Sequence, residues 1–153
     1  MTLPYKIYVY GRKINLKDKE AIEKLKTLAE NAKVCMFCTQ LDDQPVNTRP
    51  MLLQEVDNNG DMWFLSSDVS SKNVEVKIDD KVQLLFSSLK SNEYLTVYGD
   101  AYVYNDKKII ESKSSHSVKA WIPKGNDDPN ISLIRIIPKK SYYWDKNYGS
   151  LDF

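Results

Sequence analysis

The chain has 153 residues, 42% hydrophobic and 28% charged, with no low-complexity tract, which places it among ordinary globular proteins with one core and excludes a disordered chain. Its 22 basic and 21 acidic residues leave a net charge of +1, so no global field draws it to nucleic acid or an anionic membrane. The apolar runs fall well short of the roughly 20 residues that span a bilayer, and the N-terminal segment lacks a signal-peptide block, so a cytoplasmic address is expected.

From Asn15 to Lys33 the apolar positions Ile22, Leu25, Leu28, Ala29 and Ala32 recur at three and four, which predicts an amphipathic helix with Asn15 as its N-cap and Asp18 three residues on. The pattern then changes to strands over Val34 to Gln40 and Val46 to Val56. Asp57-Asn58-Asn59-Gly60 follows as a hairpin turn into a strand from Asp61 to Ser67. Ser70 to Ile78 reads as a short helix with Ser70 as cap and Val74 and Ile78 on one face, and Lys81 to Ser88 as a further strand.

The clearest alternation runs from Tyr94 to Tyr104. Leu95, Val97, Gly99, Ala101 and Val103 share one face and a tyrosine stripe occupies the other. The small apolar face suits a barrel interior, and Gly99 suits a bend or a close backbone approach. The stripe is expected to cover a helix or a subunit partner, or to wall a ligand. Asp106 to Ala120 is a weaker helical candidate and 124–129 a loop. Ile131 to Ile137 closes the sheet, with Pro138 expected to break the ladder before Ser141-Tyr142-Tyr143-Trp144-Asp145. About six strands with two or three inserted helices imply a mainly β, α+β fold: one domain over 1–153 whose antiparallel sheet can curve into a barrel.

Cys35 and Cys38 have C-x-x-C spacing, but a zinc site needs two more ligands and a thioredoxin-like site needs a helix start, whereas this pair lies in a strand-like run. Two reduced buried thiols are expected. The lone histidine, His116, has no nucleophile motif to serve, and neither common phosphate-loop motif is present. An anion site must therefore be built otherwise. Ser66-Ser67-Asp68-Val69-Ser70-Ser71-Lys72 forms a strand end rich in hydroxyls that runs into a helix start and a cation, where free N–H groups and the helix dipole favour an anion. Thr48-Arg49-Pro50-Met51-Leu52 adds a guanidinium across the hairpin.

With these segments the sequence resembles the FMN-binding split-barrel family related to pyridoxamine 5′-phosphate oxidase, and most closely its bacterial general stress protein branch. The likeness covers Ile22 to Asp145 and rests on Thr48-Arg49-Pro50-Met51, Met62 to Ser67, Ser70-Ser71-Lys72, residues 120–125, residues 127–129 and Tyr143-Trp144-Asp145. The resemblance implies a six-stranded antiparallel split β-barrel with peripheral helices, holding FMN, with FAD as the alternative, at the interface of a homodimer. It implies that Arg49, Pro50, Met51 and Gln54 run along the flavin, with Arg49 as anion partner. Leu65, Ser66 and Ser67 would flank the ribityl chain, Ser71 and Lys72 would clamp the phosphate, Tyr94 would lie near the ring, and Trp121 and Trp144 would wall it. Trp144 would come from the second subunit.

Two departures bear on chemistry. Gln54 and Ser71 stand where the oxidases have cations, and Asn147 to Phe153 lacks the basic stretch with which they handle pyridoxal phosphate, so pyridoxamine phosphate oxidation is not expected. A flavin-dependent oxidoreductase is the leading reading. A module that sequesters flavin, or haem through His116, is the alternative, and a structural dimer with a decayed flavin site is the third.

Overall fold

Period-two alternation dominates the chain, and the sheet it builds is large. A computed structural model describes residues 11–67, 70–113 and 130–153. In chain order they form β1 (Leu16–Lys17), α1 (Asp18–Ala32), β2 (Val34–Thr39), β3 (Asn47–Val56), β4 (Met62–Ser67), α2 (Ser71–Ile78), β5 (Lys81–Ser88), β6 (Glu93–Tyr104), α3 (Lys107–Lys113), β7 (Ile131–Trp144) and β8 (Tyr148–Asp152). The strands lie in the order β1-β8-β7-β4-β3-β2-β5-β6, and a β6–β7 pairing closes six of them, β2 to β7, into a barrel. All ladders within the barrel are antiparallel, as expected; β1 pairs β8 in parallel outside it.

Two neighbouring rows of side chains display the two faces. Cross-strand register aligns Arg49, Phe37, Leu84, Val97, Ser141 and Leu151 on the inward face. One residue along, Pro50, Met36, Leu85, Thr96, Tyr142 and Ser150 align on the outward face. The inward row is buried apart from Arg49, which is half-buried, while Met36, Leu85 and Tyr142 are each 41% exposed, so this sheet carries an uncovered apolar outer surface. The interior holds Phe37 and Phe64 edge to face with ring centroids 5.6 Å apart, an arrangement that adds to their burial. The expected tyrosine stripe lies outside, with Tyr98 and Tyr102 exposed and Leu95, Val97 and Ala101 buried.

α1 buries Ala21, Leu25, Leu28 and Ala29 on the barrel, a stripe at the expected helical period with Ala21 added. Its cap differs from expectation. Lys17 holds the N-cap position without a side-chain bond, because β1 occupies the preceding residues and Asn15 Oδ1 instead accepts the N–H of Ser150 on β8. On α2 the buried residues are Asn73 and Val76, whereas Val74 and Ile78 face outward. No helix among the described residues is long and apolar enough to cross a membrane.

β7 runs unbroken through Pro138, against the expected break. Lys139 is an extra residue there, so the register shifts between Tyr98 and Gly99, and Pro138 faces Gly99 in this bulge. A Cβ on Gly99 would collide with the Ile137 carbonyl oxygen and approach Pro138 Cα to 3.2 Å. The close approach foreseen for Gly99 thus has a specific partner.

Gly99→Ala should therefore destabilise the protein by about 2 kcal/mol, the range of overpacking against groups that cannot yield. Urea unfolding followed by tryptophan fluorescence measures it.

Candidate functional site

β3 is shared unequally between its neighbours. It pairs with β2 over Asn47–Leu52 but with β4 only over Leu53–Val56, with Gln54 as the extra residue of a bulge. Arg49 and Ser66 are consequently not ladder partners; the two strands part before reaching them. The turn between them is as expected: Gly60 N–H donates to Asp57 O at 3.0 Å, Asp57 Oδ1 accepts the N–H groups of Asn59 and Asp61, and Gly60 supplies the positive φ of +87°.

α2 stands at the parted end, bound by a polar cluster. Ser66 Oγ donates to Asn73 Oδ1 at 2.7 Å, Ser70 Oγ donates to the same oxygen at 3.2 Å, and Asn73 Nδ2 donates to Ser132 Oγ at 2.8 Å. Asn73, Ser66 and Ser132 are buried, so one amide ties the end of β4, the start of α2 and the start of β7 together. Ser70 holds the N-cap position as expected, but its hydroxyl makes no capping bond; it is engaged with Asn73 and accepts from Lys72 Nζ at 3.1 Å. Among the described residues no side chain caps the first-turn N–H groups of α2.

Two cations converge here. The Lys72 ammonium titrates below its ordinary 10.5, first because it is partly buried and second because the Arg49 charge is felt there. Among the described residues no carboxylate lies within ion-pair distance of it. Arg49 is more firmly held. Its Nη1 donates to Phe37 O at 3.2 Å and to Thr39 Oγ1 at 2.8 Å, and its Nη2 donates to Glu75 Oε2 at 2.9 Å.

The remaining candidates are scattered by the fold. Pro50 is exposed on the outward row and Met51 is buried in the core. Leu65 packs outward against the small cluster of Trp63, Ile110, Ile131 and Leu133 beneath α3. Ser67 O accepts the Ser70 N–H at 3.0 Å, and Ser71 is exposed on the first turn of α2. Tyr94 and Trp144 are direct cross-strand partners; Tyr94 on β6 is three strands from Arg49 in either direction around the barrel, and Trp144 on β7 is two strands away through β4. Trp144 lines a surface recess of about 380 Å³ with Tyr142, Tyr148 and Ser150. Trp121 and His116 lie outside the described residues.

The structure thus assembles Arg49, Ser66 and Lys72 about α2 and places Tyr94 and Trp144 together elsewhere. Asn73, Glu75, Thr39 and Ser132 escaped the sequence reading. Asn73 and Glu75 carried a faint signal, as polar residues at helical spacing from Ser70 and Lys72; Thr39 and Ser132 carried none. The cysteines are free and buried on opposite faces, Cys35 in the core and Cys38 against Thr48 Oγ1 at 3.5 Å, and burial pushes the Cys35 thiol up to about 12.

A closed six-stranded barrel, parted along one seam and carrying a cationic, hydroxyl-rich helix start at the parting, defines a split-barrel protein. A family model described as pyridoxamine 5′-phosphate oxidase like matches residues 20–153, and the chain belongs to that family. Among solved structures it is similar to a Clostridium acetobutylicum protein related to general stress protein 26 of Bacillus subtilis, with TM-score 0.72, 19% identity, and 87% of this chain and 94% of that one covered. It is also similar to the general stress FMN/FAD binding protein of Xanthomonas citri, with TM-score 0.71, 22% identity, and 85% and 92% covered. Protein bli-3 of Neurospora crassa is 23% identical over 105 residues, 63% of this chain; the chain matches half the length of that curated relative.

Asn73→Ala should strand the buried hydroxyls of Ser66 and Ser132 and lower stability by about 2 kcal/mol, a fall of roughly 4 to 8 °C in Tm for a domain of this size. Differential scanning calorimetry reads the shift.

Proposed function

We propose that the chain binds FMN as a homodimer and serves a flavin-dependent oxidation or reduction, with the phosphate held by Arg49 and Lys72. The observation that carries this reading is the pairing of two cations beside a first turn of α2 that the Ser70 side chain leaves uncapped. Lys72 has no carboxylate partner among the described residues, and Arg49 retains donors beyond the three it uses. A phosphate monoester supplies the missing negative charge and accepts from ammonium, guanidinium and backbone N–H together. The Ser66 and Ser70 hydroxyls lie beside Lys72 to take further oxygens. The Xanthomonas relative is described as binding FMN or FAD, which agrees with this reading.

Bound flavin would supply the electron-transfer chemistry, and the chain's residues would supply position and electrostatics. Purified protein should show flavin absorbance bands or acquire them on adding FMN. The double variant Arg49→Ala with Lys72→Ala should weaken FMN binding at least a hundredfold, since each charged contact is worth about 1.5 to 3 kcal/mol. A colourless protein that takes up no FMN overturns the reading; an unchanged titration for the double variant overturns the placement of the phosphate.

The position of the aromatic residues supports the homodimer in this reading. Tyr94 and Trp144 are on the outward face, on the same side of the sheet as Met36, Leu85 and Tyr142, whereas Arg49 ends the inward row, so the rings and the anion site of one chain open to opposite faces. An uncovered apolar sheet face is what a second copy would bury, and it would carry those rings to the partner's phosphate end. Leu85→Glu should therefore yield a monomer in light-scattering chromatography and lose FMN binding with it, although Leu85 lies on the opposite face from the anion site.

A further inference from the structure

Arg49 and Lys72 do not stand alone at the parted end of the barrel. A carboxylate, Glu75, lies one turn along α2 from Lys72 and accepts from Arg49 Nη2 at 2.9 Å, with the two side chains 21% and 16% exposed. At that depth the pair is shielded more than a surface ion pair, so its geometry has consequences. A carboxylate on the anchoring guanidinium would, at first sight, compete with any phosphate.

The hydrogen bonds argue for another role. Glu75 is itself fixed: Thr39 Oγ1 donates to its Oε2, and Asn47 Nδ2 donates to its Oε1 at 3.3 Å while also donating to Gln40 Oε1 at 2.8 Å. Thr39 is fully buried and accepts from Arg49 Nη1, so Arg49, Thr39 and Glu75 close a three-membered ring of hydrogen bonds that ties β3, β2 and α2 together. A guanidinium has five N–H donors. Phe37 O and Thr39 Oγ1 take Nη1, and Glu75 takes one N–H of Nη2. That leaves Nε–H and the second Nη2–H without an acceptor among the described residues.

We propose that Glu75 is a positioning residue for the anion site: with Thr39 it locks the Arg49 guanidinium so that two N–H donors stay available to a phosphate monoester beside Lys72. This rests on the phosphate reading given above. It makes the discrimination of a phosphorylated ligand from its dephosphorylated form depend on a carboxylate that never touches the ligand. Asn47 and Gln40 extend the same support outward along β2 and β3.

The test compares the affinities of FMN and riboflavin, which differ only by the phosphate, by flavin fluorescence titration of the full chain. Wild type should prefer FMN, and Glu75→Gln should lower that preference about tenfold, the weight of one charge-assisted hydrogen bond, with riboflavin affinity unchanged. In an Arg49→Ala background Glu75→Gln should lower the preference no further, because the effect passes through Arg49. Glu75→Asp, which keeps the charge on a shorter stem, should cost less than Glu75→Gln. If wild type prefers FMN and Glu75→Gln leaves the preference unchanged or raises it, the positioning role is overturned while the phosphate reading stands. Loss of FMN and riboflavin binding alike in both Glu75 variants overturns it in favour of a purely structural role. If wild type binds the two flavins equally, the phosphate reading itself fails and takes this proposal with it.

Discussion

The β6–β7 ladder is the constraint on which the rest of the molecule depends. It joins β7 and β6, the two ends of the six-stranded part of the sheet, so without it each would present an open edge there and the apolar interior would have no wall on that side. Its length is possible only because Gly99 admits the Ile137 carbonyl at the point where Lys139 is looped out. A bulge there bends both strands and increases their twist, which a six-stranded barrel needs in order to close. Because β7 then continues to Trp144, one strand supports β4 at its start, β6 along its length and β8 at its end. The same closure sets Tyr94 opposite Trp144.

The polar end follows from the seam that closure leaves on the other side. β3 cannot pair fully with both β2 and β4, and where it leaves β4 the groups at the parting must find other partners. Asn73 serves that need with a donor and an acceptor on one buried amide, bonded to hydroxyls from two strands and from its own helix start. Arg49 sits at the end of the inward row, where the barrel interior meets α2, and an unpaired guanidinium there would carry a large desolvation cost. Glu75 and Thr39 remove most of that cost, and Lys72 is left as the less neutralised cation. The charge balance of this end is thus set by α2, which contributes one cation and one anion a turn apart.

How much of this could be read from sequence follows from the range of the interactions concerned. The strand from Tyr94 to Tyr104 and the turn from Asp57 to Gly60 were legible, because alternation and turn chemistry are local and the residues that reveal them are the ones that use them. Pro138 misled: its missing N–H is a real obstacle to a ladder, but a bulge absorbs it, and that bulge depends on a glycine nearly forty residues earlier. β8 carries only five residues, among them Gly149 and Ser150, and owes its existence to pairing with β7 rather than to propensity. The Asn15 cap failed for a like reason, since a strand from the far end of the chain claimed the side chain first. In the site, Arg49 and Lys72 stood out because cations near hydroxyls suggest an anion. Asn73 and Glu75 did not, because a polar residue in a short helix looks solvated until tertiary packing buries it.

The arrangement of the two half-sites carries one more consequence, given the function proposed above. The cationic end lies at the parted seam and the aromatic pair on the outward face, so in this reading neither half would complete a flavin site within one chain. A ligand that contacts both halves binds the dimer and not the monomer, and by linkage it must strengthen association by as much as association strengthens its binding. Occupancy and oligomeric state are then one equilibrium rather than two. The exposed Met36, Leu85 and Tyr142 would make this economical, because the apolar surface that would drive association lies on the same face as the rings that would meet the ligand. Affinity for the cofactor would therefore rise with protein concentration until the dimer saturates, and the phosphate end, being internal to each chain and tied down by Asn73 and Glu75, would stay formed whether or not a partner is present.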